Sequence, residues 1–265
     1  MKQYKYKLGF VGAGNMARAI SSGLIGQGLM SESDIIMGDI NKDIKVGGIT
    51  VTDDISHVLG ECEYIILSIK PQVFNGISAS LASVKAKAVI SIMAGICSQD
   101  IKRVLPDGVA AIRVMPNTPC AIGKGMVVIA DNDAGDEING FVKSIFDTTG
   151  DTLFLPEQAF DAVTSVSGSG PAYVYYFIRS MIKGGIDGGL SEESSKALTL
   201  ATVIGAAEMV KHSSESLDVL IDRVCSKGGT TIQAVNCYDE CNLDGIIREG
   251  MKRCFNRSAE LSGNN

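Results

Sequence analysis

The sequence predicts an α/β protein in two parts: a doubly wound sheet over residues 1–157, followed by an all-α domain over residues 158–265. Three observations predict it. Short β-type runs alternate with helical stretches up to residue 155 and then stop. Several runs are apolar almost throughout, which fits parallel strands covered on both faces better than the alternation of a half-solvated antiparallel sheet. Beyond residue 156 the pattern changes to long segments of helical period.

The runs, in order, are KLGFV (7–11), DIIMGD (34–39), EYIILSI (63–69), AVISIM (88–93), VAAIRVM (109–115), GMVVIA (125–130) and DTLFL (151–155). Intervening segments of about 10 to 20 residues suit crossover helices. The helical candidates are 171–187, 192–212, 230–239 and 244–261. In the last, Ile246, Ile247, Gly250, Met251, Cys254, Phe255, Ser258 and Leu261 recur on one face. The stretch ALTLATVIGAAEMV (197–210) is apolar or small nearly all round, so it has to be buried on most sides. In so small a domain it is buried either against a second subunit or as the central helix of a monomeric bundle.

With 265 residues, 45% of them hydrophobic, the chain can build a sizeable core and two domains. The net charge of −6 argues against a nucleic-acid partner, because such binders neutralise phosphates with Lys and Arg. No apolar run approaches the roughly 18 to 20 residues that span a bilayer, so no membrane partner is expected. The N-terminus, MKQYKYKLGFVGAGN, starts basic but turns glycine-rich at once, without the apolar stretch of a signal peptide. These features predict a cytoplasmic protein. The seven cysteines are odd in number and irregularly spaced, which predicts free thiols. Cys237 and Cys241, four apart, share a helix face, but are read as small buried hydrophobes rather than ligands. The two histidines, His57 and His212, have no second ligand near them, and no metal site is expected.

Gly12-Ala13-Gly14-Asn15-Met16-Ala17 has the form G-x-G-x-x-A, placed between an apolar run and a helical pattern, which is the context the motif requires. The first glycine permits the tight turn and the second lets the backbone approach a pyrophosphate. Ala17 keeps the helix close to the strand. Free N–H groups and the helix dipole then favour the phosphate charge. The first part is therefore read as a Rossmann-type dinucleotide-binding domain. Asp39, at the end of the next strand, suits the ribose 2′-hydroxyl of NADH and repels the 2′-phosphate of NADPH. Lys42 can offset that preference, so the cofactor is NADPH or NADH, with Asp39 leaning to NADH. Ligands of open α/β sheets bind at carboxyl ends of strands. Ser68-Ile69-Lys70-Pro71, Met93-Ala94-Gly95 and Arg113-Val114-Met115-Pro116-Asn117-Thr118-Pro119 are further candidate loops on that ground.

GFVGAGNMA at 9–17, SIKP at 68–71, RVMPNTP at 113–119, SGSGPAY at 167–173 and SKGGTTIQAV at 226–235 together resemble the pyrroline-5-carboxylate reductase family, in order and spacing through nearly the whole chain. The resemblance implies reduction of Δ1-pyrroline-5-carboxylate, a small-molecule substrate, to L-proline with NADPH or NADH. It implies a helical second domain that dimerises, with homodimers often assembling into decamers, and so favours the subunit-interface reading of 197–210. It places cofactor contacts on Gly12, Gly14, Asn15, Met16, Asp39, Ile69, Lys70 and Ala94, with Asn117 a looser extension from its loop. It places substrate contacts on Ser226, Gly229, Thr230 and Thr231, with Thr231 near the imine nitrogen as the catalytic residue.

Three departures stand out. The family's S-P-G-G reads Ser226-Lys227-Gly228-Gly229 here, its E-H-P-x-x-L-K-D reads Glu215-Ser216-Leu217-Asp218-Val219-Leu220-Ile221-Asp222, and an asparagine near the adenosine ribose is replaced by Ile55. The first two leave the reductase class intact and bear on substrate preference. Lys227 is read as a solvated turn residue rather than a charge beside the substrate carboxylate. SGSGPAY is read as a joint between the two parts rather than a substrate contact, with Pro171 in the first turn of a helix. Backbone N–H groups of Gly229, Thr230 and Thr231 at a helix start suit a carboxylate. Another reductase of the same architecture and a non-catalytic dinucleotide sensor are the alternatives; the Gly-Gly-Thr-Thr helix start argues against the sensor.

Overall fold

The computed structural model describes residues 4–263. The first three residues of the basic N-terminal stretch and the last two of the chain lie outside them. Eight strands form one sheet: β1 (Tyr6–Val11), β2 (Ile35–Gly38), β3 (Thr50–Thr52), β4 (Cys62–Leu67), β5 (Ala88–Ser91), β6 (Ala110–Pro116), β7 (Gly125–Ala130) and β8 (Gly150–Leu155). Their order is β3-β2-β1-β4-β5-β6-β7-β8. The helices up to the end of the sheet region are α1 (Asn15–Gly26), α2 (Ile55–Glu61), α3 (Phe74–Ile77), α4 (Ser98–Lys102), α5 (Asp136–Asp147) and α6 (Phe160–Val163). Then follow α7 (Gly170–Asp187), α8 (Glu192–His212), α9 (Leu217–Val224), α10 (Thr230–Glu240) and α11 (Leu243–Leu261).

The chain forms two compact units. One holds the described residues up to Ser169 together with the described residues from Cys254 on, and the other runs from Gly170 to Arg253. The division falls inside SGSGPAY. There a single π-helical turn, Thr164–Gly168, closed by Ser169 N–H donating to the Thr164 carbonyl at 2.8 Å, runs into α7.

In the first unit, strand side chains alternate between two buried layers. Leu8, Phe10, Ile35, Met37, Tyr64, Ile66 and Ile90 pack on one face with α1 and α5. Val11, Ile36, Ile65, Leu67 and Val89 pack on the other with α2. Period-two alternation with both faces apolar is what covering a sheet by helices on both sides requires.

Two strands depart from the expected parallel order. β7 runs antiparallel to β6, and β8, parallel to β7, follows it. The physical reason is the link between them. Residues 117–124 make one short turn ending at Gly123 in the left-handed region, too short for the dozen or so residues a parallel crossover needs. β3 was not anticipated either, because Thr50-Val51-Thr52 carries one apolar residue.

An ion-pair network braces one end of β4. The Glu63 carboxylate lies 2.8 Å from Lys7 Nζ and 2.9 Å from Lys87 Nζ. Burial pushes its pKa up, but the hydrogen bonds from the two lysines outweigh that, and the net pKa lies below the usual glutamate value. A carboxyl with a depressed folded-state pKa contributes stability that is fully present above its unfolded value, about 4.3, and is lost as pH falls through the folded value. The stability advantage of wild type over Glu63→Gln should therefore shrink as pH is lowered below about 5. Urea melts of both proteins at pH 7 and pH 3.5 check this, and a pH-independent difference would refute it.

The second unit is built differently. Between Gly170 and Arg253 only two side chains are buried, Ser195 and Thr199, and both are polar. The Ser195 hydroxyl donates to the Ile182 carbonyl at 2.8 Å and ties α7 to α8. The helix expected to be buried on most sides is open within one chain: Leu198 is 58% exposed, Ile204 63% and Met209 65%. Cys237 and Cys241 are also exposed, which corrects their reading as buried hydrophobes. All seven cysteines are unbridged. Among the described residues no helix is long and apolar enough to cross a membrane, and no cluster of three metal-ligating side chains occurs.

Candidate active site

The strand order reverses between β1 and β4, and the space beyond the carboxyl ends of strands at such a point is where open α/β sheets bind ligands. Three strand ends are stitched together there. The Ser68 hydroxyl donates to the carbonyls of Val11 at 3.1 Å and Gly12 at 2.7 Å. Gly12 N–H donates to the Gly38 carbonyl at 2.7 Å, and Ala13 N–H to Asp39 Oδ2 at 2.8 Å. Gly12 has φ +102°, and a Cβ on it would come 2.7 Å from the Ser68 carbonyl oxygen, so the turn admits glycine alone.

α1 starts directly after this turn with Gly14 as its cap. No side chain caps it, and no acid lies in its first turn. Its first N–H groups therefore lack protein partners and carry the positive end of the helix dipole. A Cβ on Gly14 would meet nothing within 4 Å, so the approach to those donors is open. Such a helix start could hold a pyrophosphate. Asn15 is exposed beside it. Met16 packs its side chain on the core, which leaves its backbone as what it offers a ligand.

Asp39 is half-buried at the end of β2. Its Oδ1 accepts from Asn41 N–H at 3.0 Å and its Oδ2 from Ala13 N–H, and each oxygen keeps a lone pair for a ribose hydroxyl. Lys42 turns to Asp53, 3.6 Å from its Oδ2. Ile55, the first residue of α2, is a partly buried apolar residue packed in the core beside Gly38.

Beyond the switch point, Ile69 packs partly into the core and Lys70 is exposed at the start of the next turn. Ala94 is exposed in the loop after β5. Asn117 follows β6 directly, but its amide is already engaged: Oδ1 accepts from Met126 N–H at 3.0 Å and Nδ2 donates to Ser167 Oγ at 3.2 Å. Its side chain holds its own loop closed.

The second unit carries the other glycine-capped helix start. After α9 the chain turns through Gly228, at φ +72°, and Gly229 caps α10. Again no side chain caps the helix and no acid lies in its first turn. By contrast α8 and α9 are capped by Ser191 and Ser216 and have acids in the first turn, as helix starts that receive no anion do. Gly229 N–H, expected to be a substrate donor, is committed to the Ser226 carbonyl at 2.9 Å. The free backbone donors at this end are those of Thr230, Thr231 and Ile232. Ser226, Lys227 and Thr230 are exposed and Thr231 is half-buried. Arg223, directly after the altered stretch, forms an ion pair with Glu215 at its start.

A family model described as pyrroline-5-carboxylate reductase dimerisation matches residues 157–261. One described as NADP oxidoreductase, coenzyme F420-dependent, matches residues 7–95. A pyrroline-5-carboxylate reductase of Synechocystis sp. is 38% identical over 263 residues, covering 96% of this chain and 98% of its own. The chain belongs to the pyrroline-5-carboxylate reductase family. The reductase of that name from Arabidopsis thaliana is 35% identical over 97% of this chain and 96% of its own. A crystal structure of Plasmodium falciparum pyrroline carboxylate reductase with NADP bound superposes with a TM-score of 0.88 at 27% identity, covering 98% of this chain and all of that one. As a member of this family the chain has an N-terminal Rossmann-type domain and a helical dimerisation domain.

The cofactor candidates Gly12, Gly14, Asp39, Ile69, Lys70, Ala94 and Asn117 lie just beyond carboxyl ends of strands in the first unit, and Asn15 and Met16 lie in the first turn of α1, which follows β1. The substrate candidates Ser226, Gly229, Thr230 and Thr231 lie at the α10 start in the second. Ser68 carries no role in the sequence reading; its hydroxyl fastens the glycine turn. A polar residue closing an apolar run was the one signal for it in the sequence.

Proposed function

We propose that the chain reduces the C=N bond of Δ1-pyrroline-5-carboxylate to give L-proline, the last step of proline biosynthesis, with NADH or NADPH supplying the hydride. The near-full-length likeness to reductases of that name carries this reading, at 38% identity in the Synechocystis relative. Residues 1–157 bind the cofactor; residues 158–265 bind substrate and dimerise. The α1 start, with Gly12, Gly14, Asn15 and Met16, takes the pyrophosphate. Asp39 accepts from a ribose 2′-hydroxyl and, as an anion, favours NADH over the 2′-phosphate of NADPH. Ile69, Lys70, Ala94 and the Asn117 loop flank the other half of the cofactor.

At the α10 start, the N–H groups of Thr230 and Thr231, with the Ser226 hydroxyl, hold the substrate carboxylate. The Thr231 hydroxyl orients the imine nitrogen. The imine arrives protonated, its carbon accepts the hydride, and the proton stays on the nitrogen of proline, so no side chain has to donate one. Orientation and exclusion of water are the protein's share. Neither histidine is needed: His57 lies in α2 and His212 pairs with Glu208 at 3.4 Å in α8. A second copy of the chain covers the apolar faces of the second unit in a homodimer, on which decamers can build.

Oxidation of NADH and of NADPH, followed separately with Δ1-pyrroline-5-carboxylate, tests the reading; no oxidation of either refutes it. Thr231→Ala should lower kcat by about 100-fold or more, the usual loss for one well-placed polar group at the reacting centre, while the Kd for NADH stays within about twofold. Turnover at the wild-type rate would remove Thr231 from the mechanism.

A further inference from the structure

The loop Met93–Cys97 follows β5 and carries Ala94. It belongs to the β4–β6 half of the sheet, the half that holds the mononucleotide opposite the Asp39 ribose. Two anchors hold this loop, and both come from one short segment after β8.

The first anchor is Glu157. Its Oε1 accepts from Ser98 N–H at 2.8 Å, and its Oε2 accepts from the Ser98 hydroxyl. Glu157 thus closes the start of α4, the end of the loop, from 59 residues away. Arg113 Nη1 lies 3.3 Å from Oε1, and the Arg113 guanidinium stacks 4.7 Å over Phe160. The Arg113 side chain is 3% exposed, and its Nε and Nη2 find no partner among the described residues. Glu157 is therefore the countercharge that makes this buried arginine tolerable.

The second anchor is Asp161, one helical turn further on and buried. Its Oδ1 accepts from Ser258 Oγ at 2.7 Å and from Ser262 Oγ at 3.3 Å, which fastens the last turn of α11. That turn lies against the loop. Gly95 has φ +75°, and a Cβ on it would come 3.3 Å from the Leu261 carbonyl oxygen.

We infer that Glu157 and Asp161 are positioning residues for the Met93–Cys97 loop, fixing it from its two sides so that Ala94 sets the cofactor's reacting end in place. This rests on the proposed reading that Ala94 flanks the cofactor. Neither carboxylate touches the reacting atoms. Their effect on hydride transfer runs through the loop, and a displacement of about 1 Å at a reacting centre costs about 100-fold in rate.

The test compares Glu157→Gln, Asp161→Ala and Asp161→Asn with wild type. Gln at 157 presents an N–H₂ to a donor, either Ser98 or Arg113, whereas Asn at 161 keeps an oxygen for the Ser258 hydroxyl. Glu157→Gln and Asp161→Ala should lower kcat by about tenfold or more while the Kd for NADH stays within about threefold, and Asp161→Asn should recover most of the rate. Hydrogen exchange of the amides from 93 to 98 should quicken by about tenfold in the first two variants and not in the third. Should Glu157→Gln fail to fold, Ser98→Ala removes one arm of the same anchor and should give a smaller change of the same kind. Unchanged kcat in the folded variants overturns the inference, as does a loss of rate that Asp161→Asn fails to restore. If wild type does not oxidise NADH or NADPH with the substrate, the proposed reaction falls, and loop exchange alone decides: unaltered exchange overturns the positioning role and quickened exchange upholds it.

Discussion

Gly12→Ala should abolish tight cofactor binding and lower the stability of the free protein, whereas Gly14→Ala should do only the first. The two glycines sit two residues apart in one motif, yet the structure gives them different burdens. At Gly12 the backbone has φ +102° and the added Cβ would lie 2.7 Å from a main-chain oxygen, Ser68 O. That oxygen cannot swing aside as a side-chain tip would, because Ser68 N–H and Oγ are both bonded to the end of β1. A left-handed backbone costs an alanine about 1–2 kcal/mol before any clash. With the clash, about 3 kcal/mol is a fair expectation, or roughly 6–12 °C in Tm for a protein of this size. At Gly14, φ is −71° and a Cβ meets nothing within 4 Å. Its alanine variant should melt with wild type. In the proposed complex the pyrophosphate approaches through that open space, so both variants should raise the Kd for NADH by about 100-fold, close to 2.7 kcal/mol. Thermal melts with and without NADH separate the two cases. Equal melting of Gly12→Ala and wild type would mean that the turn is not held as described. Wild-type affinity in Gly14→Ala would move the pyrophosphate elsewhere.

The same contrast shows what was legible in the sequence. Gly12 and Gly14 announce themselves because the motif is local: a strand, a turn and a helix start within a dozen residues. The strands of the parallel half were legible because both their faces are apolar. The reversal at β7 was within reach, since the gap between VAAIRVM and GMVVIA is too short for a crossover. α9 was within reach as well, since Leu217, Leu220, Ile221 and Val224 keep helical spacing over its eight residues. Glu157 and Asp161 could not be found from the sequence at all. Each acts on a partner far along the chain, Ser98 at 59 residues and Ser258 at 97, and an isolated acid after a strand reads as a solvated turn. The Gly229 N–H shows the opposite error: helix-start logic counted it as a free donor, and the turn before it had already used it.

Ile204→Asp should convert the dimer to a monomer that no longer folds its second unit or turns over substrate. A helical unit of this size normally buries a core of its own. This one buries no apolar side chain between Gly170 and Arg253. Its α8 shows Leu198, Ile204 and Met209 each more than half exposed, and α7 adds Tyr175 at 60% and Tyr176 at 65%. Apolar area of that extent is covered in a stable protein, and a match to the family's dimerisation model over residues 157–261 names the mode. Folding of the unit and association are then one equilibrium, as in obligate dimers. In a twofold interface each substitution enters twice, so two carboxylates would be buried without partners at a cost of several kcal/mol each. Ile204→Val, which keeps the apolar surface, should stay dimeric. Sedimentation of the variants with far-ultraviolet circular dichroism decides the matter. A dimer of Ile204→Asp with wild-type helix content would place the interface on another face of the unit.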